Sequence, residues 1–363
     1  MSFEVVYTSS ANGLRDGDRG FCTVAATAGI PRKLQETLES LSGYRHAFAA
    51  SSSSNPVNYS HLIVRVRREP IHVLSRIADA GSDYSGRSNK IAHHLALTSD
   101  ELRGMESGPH ALLADPEFWF RKWDRQPQTL PTGRMPRPHR CGVAGCGTWE
   151  SMFGDPGWAG LLASAQHRDQ SNASVILPVG RGNLALVAET LGLLERRAHW
   201  QVGFSTYFNR VPAGVQCQWR FVLEGTQEAE AVRANPRGTL IDPIGARKPL
   251  RGDDPFVRAA RGEQVRHAER GDRSSPPEDV ADQRSTRRPI TKSQLRRREA
   301  GARARRARLA ARRPVRRHGQ TEIRPEITSA PQSAGRGKRF WGIVIGCSIA
   351  AAAGLYLLAS TFL

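Results

Sequence analysis

The positive charge of this chain is concentrated in one segment, which separates residues that can form a core from residues that cannot. Residues 246–339 carry 27 Lys and Arg against 11 Asp and Glu, while the whole chain of 363 residues has a net charge of +19. A segment with so much charge and so few apolar residues does not bury enough apolar surface to fold. We therefore predict a globular domain over residues 1–245 and a disordered basic linker over residues 246–339.

The last 24 residues, 340–363, contain no charged side chain. At a rise of about 1.5 Å per residue, a helix of this length is roughly 36 Å long, which is enough to cross the bilayer core. Basic residues immediately before such a segment predict that its N-terminal side is cytoplasmic. The sequence therefore predicts a single C-terminal transmembrane helix that anchors the chain by its tail in the cytoplasmic membrane.

One face of the predicted transmembrane helix consists of small residues spaced four apart: Gly342, Gly346, Ala350 and Gly354. Small residues at this spacing let two helix backbones approach closely in lipid, so this stripe predicts transmembrane packing and self-association. The alternative is a helix rich in Ala and Gly that has no partner.

The basic linker predicts contact with anionic membrane lipid, because its charge lies next to the predicted anchor. A solvated spacer without a partner is the alternative interpretation. Nucleic acid is the less favoured partner, because no aromatic residue lies within the arginine-rich run at 284–317 to stack on bases.

Alternating strand and helix patterns occupy residues 1–245, without a strict βαβ order, which favours an α+β fold with α/β as the alternative. The segment 104–156 is rich in Pro, Gly and Trp and predicts packed loops and short helices. Strands are predicted from apolar alternation at 3–7, 20–25, 61–67, 71–77, 91–98, 175–179, 200–208 and 215–223, and helices at 31–41, 158–166, 183–195 and 227–234.

The polar stretch Asp83–His94 lies between two apolar runs and predicts the functional site, since binding groups commonly lie on loops held by buried elements. No catalytic residue is assigned, but Arg87 could hold an anion, and the candidates for chemistry are His93 or His94 in proton transfer and Cys22 as a nucleophile. The alternative is a structural loop with an Arg87–Asp83 pair and a buried histidine. The residues predicted to form a binding surface are Asp83, Tyr84, Ser85, Arg87 and Asn89.

The five cysteines include no CxxC pair, which predicts free thiols and no metal site. The sequence also lacks the phosphate-binding GxxxxGK[ST] motif and the common hydrolase motifs. We therefore expect no bound cofactor, and the chain itself does not resemble a P-loop NTPase.

Several separate motifs in the same order resemble the N-terminal domain, second type, of the bacterial GTPase-associated proteins, over about residues 2–240. The motifs that carry the resemblance are Tyr7–Ser10, Asn12–Leu14, Gly20–Val24, Leu41–Arg45, Asp83–Asn89, Ala92–His94, Trp200–Tyr207 and Cys217–Arg220. Longer members of this family continue into middle and C-terminal domains, which we expect this chain to lack.

The resemblance implies a non-enzymatic adaptor that acts beside a GTPase or another NTPase in a bacterial conflict or signalling system, and it assigns no catalytic residue. Combined with the predicted anchor, it leads us to expect a single-pass protein of the bacterial inner membrane with its N-terminal domain in the cytoplasm. The alternative is a membrane-anchored hydrolase or ligand sensor that uses the Asp83–His94 stretch with Cys22.

Overall fold

One mixed β-sheet of ten strands organises the computed structural model of the protein, which describes residues 2–142, 144–169, 172–178, 184–245 and 252–263. The strands are β1 (Phe3–Ser10), β2 (Gly20–Thr27), β3 (Asn58–Val66), β4 (Glu69–Ser82), β5 (Ser88–Thr98), β6 (Gln128–Leu130), β7 (Ala173–Leu177), β8 (Phe204–Ser205), β9 (Trp219–Leu223) and β10 (Thr239–Ile241). The α-helices are α1 (Arg32–Ser40), α2 (Pro109–Leu113), α3 (Gly147–Phe153), α4 (Gly157–Asp169), α5 (Leu184–Gly192), α6 (Arg196–His199), α7 (Gln227–Ala234) and α8 (Pro255–Ala260).

The strands follow the spatial order β10-β7-β9-β8-β3-β4-β5-β1-β2-β6. Neighbouring strands are antiparallel from β8 through β3, β4, β5 and β1 to β2. The pairs toward the two edges are parallel, namely β8–β9, β9–β7, β7–β10 and β2–β6. The long strands β4 and β5 therefore lie near the middle of the sheet, and their hairpin positions the predicted site.

Helix α1 covers one face of the antiparallel part of the sheet. Leu34 and Leu38 lie one turn apart, so both point to the same side of the helix, where they pack in a cluster with Val5, Val73 and Ala96. Burying such leucines fully contributes about 1.5–3 kcal/mol each to folding. This face accounts for the apolar spacing that predicts the helix.

The opposite face is covered by α2 to α5, and its largest fully buried side chains include Trp149 and Trp219. The neighbouring β5 residues Leu95 and Ala96 belong to different clusters, as the alternation of a strand buried on both faces requires. The indole Nε1 of Trp149 donates to the carbonyl of Leu186 at 3.0 Å and to the hydroxyl of Thr190 at 3.1 Å, so its polar atom is satisfied inside the core.

The fold class predicted for the globular domain, α+β or alternatively α/β, is wrong, because the described residues form a single mixed sheet of ten strands with helices. Helices α5 and α6 lie between β7 and β8, and α7 lies between β9 and β10, so parallel crossovers extend an antiparallel meander. Apolar periodicity shows which face of a strand is buried but not which strands lie beside it. The sequence pattern therefore does not distinguish a mixed sheet from an α+β or an α/β arrangement.

No helix among the described residues is long and apolar enough to cross a membrane. The transmembrane helix predicted at 340–363, with the packing residues Gly342, Gly346, Ala350 and Gly354, lies outside the described residues. Most of the basic linker predicted at 246–339 also lies outside them. The exception is 252–263, which contains α8. The helix begins after Asp254, and the carboxylate of Asp254 caps it by accepting a hydrogen bond from the Phe256 N–H at 2.8 Å.

Candidate functional site

The predicted site forms the turn between β4 and β5. The Asp83 N–H donates to the carbonyl of Arg87 at 2.7 Å, and the Gly86 N–H donates to the carbonyl of Asp83 at 2.9 Å. Gly86 has a φ of 80°, a conformation that glycine adopts without the steric cost of a side chain. The sequence Asp83–Asn89 therefore encodes a defined turn at the end of the hairpin.

The carboxylate of Asp83 accepts hydrogen bonds from three residues: Ser85 and Arg87 of the same turn and Ser9 of β1. Its Oδ1 accepts from the N–H and the hydroxyl of Ser85, both at 2.8 Å, and its Oδ2 accepts from the hydroxyl of Ser9 at 2.9 Å and from Nη2 of Arg87 at 3.0 Å. Burial alone would raise the pKa of Asp83, but these hydrogen bonds outweigh burial and hold that pKa well below its usual range. Asp83 therefore fixes the turn and orients Arg87.

Asn89 holds the other side of the turn against β1. Its side-chain oxygen accepts from the Ser9 N–H at 3.1 Å, from the Lys90 N–H at 2.8 Å and from the Thr8 hydroxyl at 3.2 Å. Asn89 is buried. Among the predicted binding residues, Asp83 and Asn89 thus make structural contacts, whereas Tyr84, Ser85 and Arg87 are exposed.

Two large rings are exposed at this end of the sheet, Tyr84 with 56% and Phe21 with 44% of its surface accessible. Phe21 pairs with Ser9 in the sheet, and the hydroxyl of Ser9 contacts Asp83, so the two rings belong to one region. The ammonium of Lys90 lies 5.1 Å from the centre of the Phe21 ring. We call Phe21, Tyr84, Arg87 and Lys90 the hairpin-tip surface.

His94 is fully buried between α1 and the sheet and uses both ring nitrogens. Nε2 lies 2.9 Å from the hydroxyl of Ser42, and Nδ1 lies 2.7 Å from the hydroxyl of Ser75. Burial lowers the pKa of His94 to about 3, with additional repulsion from His93 and Lys90. The ring is therefore neutral at physiological pH and serves as a buried bridge between two serines.

His93 points to the opposite face and lies in a second buried polar cluster. Its Nδ1 accepts from the Phe120 N–H at 3.3 Å, so the proton of the neutral ring is on Nε2, which donates to Oε2 of Glu4 at 2.9 Å. The same Glu4 oxygen lies 3.2 Å from Nη1 of Arg134. Burial lowers the pKa of His93, although Glu4 acts in the opposite direction.

Cys22 contacts neither histidine through a hydrogen bond in the part of the chain that the structure describes. It pairs with Thr8, which in turn pairs with Ile91, and it is buried. Burial is the main cause that raises the pKa of its thiol, and the charges of Asp18 and Glu39 raise it further. The structure thus brings His93 to Glu4 and His94 to two serines, but it does not bring Cys22 to them.

Among the described ranges, no group of three or more His, Cys, Asp or Glu side chains is arranged to hold a metal ion. The described cysteines, Cys22, Cys141, Cys146 and Cys217, are free thiols.

Sequence reasoning missed the partners of the predicted residues. Glu4 and Arg134 carry no local motif, and their contact with His93 depends on pairing between β1 and β5. For Phe21 the sequence did carry information, because Phe21 and Cys22 are consecutive residues at the beginning of β2. Such a position predicts that the two side chains point to opposite faces.

Comparison with known protein families places two domains within the described fold. The model of the GTPase-associated protein 1 N-terminal domain, type 2, matches residues 1–136, and the model of the GTPase-associated protein 1 middle domain matches residues 146–245. No curated protein and no solved structure matches the chain. The resemblance to the N-terminal domain of the second type is confirmed, but it covers residues 1–136 and not 2–240. The expected absence of a middle domain is wrong, because the middle-domain model matches residues 146–245. The chain belongs to the GTPase-associated protein 1 family and combines its N-terminal domain of the second type with its middle domain.

Proposed function

We propose that this chain is a non-enzymatic adaptor that binds a GTPase, or a related NTPase, through the hairpin-tip surface. The observation that carries the proposal is the exposure of two large rings at this end of the sheet, Tyr84 on the turn that Asp83 holds in place and Phe21 at the beginning of β2. Aromatic residues and arginine are enriched at protein interfaces. The name of the family, GTPase-associated protein 1, supports a GTPase as the partner.

The rigidity of the turn favours binding because less conformational entropy is lost when a partner docks on a fixed surface. Arg87 is 65% exposed yet is oriented by its ion pair with Asp83. Lys90 adds positive charge beside the Phe21 ring. An acidic patch on the partner would complement this charge and speed association.

The alternative of a hydrolase or ligand sensor that uses His93, His94 and Cys22 has less support. Both nitrogens of His94 are occupied by serines, and its pKa of about 3 lies far from the value that suits a general base at neutral pH. The raised pKa of Cys22 disfavours the thiolate, which is the nucleophilic form. These contacts favour structural roles for all three residues.

The substitution Tyr84→Ala is expected to weaken binding of the GTPase partner by about 30-fold, the effect of losing a central interface residue worth about 2 kcal/mol. The partner is first identified by mass spectrometry after purification with the full chain, and its affinity is then measured with purified proteins. Phe21→Ala is expected to weaken binding as well.

The matched control is Ile244→Ala, because Ile244 is similarly exposed, at 47%, but lies outside the hairpin-tip surface. Its affinity for the partner is expected to equal that of the wild type. Equal binding by Tyr84→Ala and the wild type, with both proteins folded, would exclude this surface as the contact.

We further propose that the chain resides at the bacterial inner membrane, that the basic linker contacts anionic lipid and that the chain self-associates. Support comes only from the composition of residues 246–363. The full chain is expected in the membrane fraction of lysed cells and residues 1–263 in the supernatant. Recovery of the full chain in the supernatant would contradict this localisation.

A further inference from the structure

Arg76 is a buried cation without an ion pair among the described residues. It lies on β4 opposite His93, and only 9% of its surface is exposed. Its one hydrogen bond there runs from Nη1 to the carbonyl of Phe120 at 3.2 Å. A guanidinium has five N–H donors, so four of them have no acceptor among the described residues. A largely buried cation that lines a cavity and has no carboxylate partner among the described residues favours an anion in that cavity.

Arg76 lines a cavity of about 340 Å³ at the edge of β4. This volume falls within the range of small-molecule sites. The other polar groups around it include the side chain of Lys122 and the serine run Ser51–Ser53. Ser51 has a φ of 68°, a strained conformation for a residue other than glycine. The cavity therefore combines two cations, several hydroxyl groups and local backbone strain.

The one carboxylate on the cavity wall, Asp79, is already occupied by other groups. Its Oδ2 accepts from the Ser51 N–H at 2.7 Å and from Nδ2 of Asn55 at 2.8 Å, and its Oδ1 accepts from the Gly81 N–H at 2.7 Å. His46 adds a further contact to Oδ1 at 3.2 Å. Asp79 thus fixes the serine loop in place and makes no ion pair with Arg76.

We propose that this cavity binds a phosphate monoester or inorganic phosphate, with Arg76 as the main ligand. A phosphate group accepts several hydrogen bonds at once, which matches the guanidinium, the Lys122 ammonium and the serine hydroxyls better than a carboxylate would. Arginine pairs with phosphate through two parallel hydrogen bonds, and Arg76 retains enough donors for such a pair. The site is separate from the hairpin-tip surface and does not depend on the proposed partner.

The test compares the thermal unfolding of the full chain with its Arg76→Met variant, which keeps the bulk of the side chain but removes its charge. Inorganic phosphate is expected to raise the unfolding midpoint of the wild type above that in sodium chloride of the same ionic strength, and to raise that of the variant much less. Without phosphate, Arg76→Met is expected to be at least as stable as the wild type, because it no longer buries an unpaired charge.

Titration calorimetry with phosphate, GMP and guanosine separates the possible ligands. Arg76→Met is expected to lose about tenfold or more in affinity for phosphate or GMP. Tighter binding of GMP than of phosphate assigns the site to an ester, and equal binding assigns it to phosphate alone. Guanosine that binds as tightly as GMP would overturn the proposal. Anions held by the linker bind the wild type and the variant alike, so the difference between them reports on the cavity.

Two exposed positions keep the test decisive if Arg76→Met does not fold. Lys122→Met and Ser53→Ala are expected to weaken phosphate binding several-fold, whereas the control Arg103→Met, at an exposed arginine outside the cavity, is expected to leave it unchanged. A wild-type chain that gains no stability from phosphate over chloride would overturn the proposal. So would an Arg76→Met variant that responds to phosphate as the wild type does.

Discussion

Acidification from about pH 7 to about pH 4.5 is expected to destabilise the fold by on the order of 5 kcal/mol through two buried histidines. Burial lowers the pKa of both His61 and His94 from 6.5 to about 3. Because the unfolded state takes up these protons first, the stability is complete above about pH 6.5 and is lost as the pH falls towards 3. Each histidine contributes about 1.4 kcal/mol per pH unit within this window.

The measurement is urea unfolding of the wild type and of His94→Gln at several pH values. The substitution removes one titrating group, so the dependence of the unfolding free energy on pH is expected to decrease by about one proton. Ile244→Ala, at an exposed residue that carries no titratable group, is the control and is expected to retain the wild-type dependence. An unchanged pH dependence in His94→Gln would contradict the assignment of a neutral His94 bridging Ser42 and Ser75.

The substitution Glu4→Ala is expected to cost about 3–5 kcal/mol of stability, because it leaves the partners of a buried carboxylate without their acceptor. Only 1% of Glu4 is exposed, and its Oε2 contacts both His93 and Arg134. Arg134 also lies 5.0 Å from the centre of the Phe118 ring, so its guanidinium would keep this cation–π contact but lose its carboxylate partner.

Chemical denaturation of Glu4→Ala and Glu4→Gln separates the hydrogen bonds from the bulk of the side chain. Gln keeps an acceptor for Arg134 and fills the same volume, so its cost is expected to be smaller than that of Ala. An Ala variant that loses less than about 1 kcal/mol would contradict a stabilising role for this cluster.

Local patterns in the sequence predict most elements of the antiparallel half of the sheet. Alternation over 61–67, 71–77 and 91–98 identifies β3, β4 and β5, and leucine spacing identifies α1, because these patterns record which face is buried. The strand predicted over 200–208 contains only the two-residue β8, preceded by α6. Phe204 and Tyr207 in this segment are buried in the core, and burial alone does not require pairing in a sheet.

The candidate sites could be predicted only where their contacts are local. The turn from Asp83 to Asn89 is encoded by neighbouring Ser, Gly and Asn side chains, so the alternative of an Arg87–Asp83 pair was visible in the sequence. The cavity at Arg76 could not be predicted from the sequence. It joins a strand residue to a serine loop and to Lys122, which are distant along the chain. A serine run before a strand is commonly only a solvated loop.

The most direct test of the adaptor account is photo-crosslinking from position 84 of the full chain in living cells. Tyr84 is replaced by p-benzoylphenylalanine, which keeps an aromatic ring at the exposed position, and a second protein carries the same residue in place of the exposed Ile244. The account predicts that mass spectrometry identifies a GTPase or related NTPase crosslinked from position 84 and not from position 244. A folded protein that crosslinks no such partner from position 84, or crosslinks it only from position 244, would contradict the account.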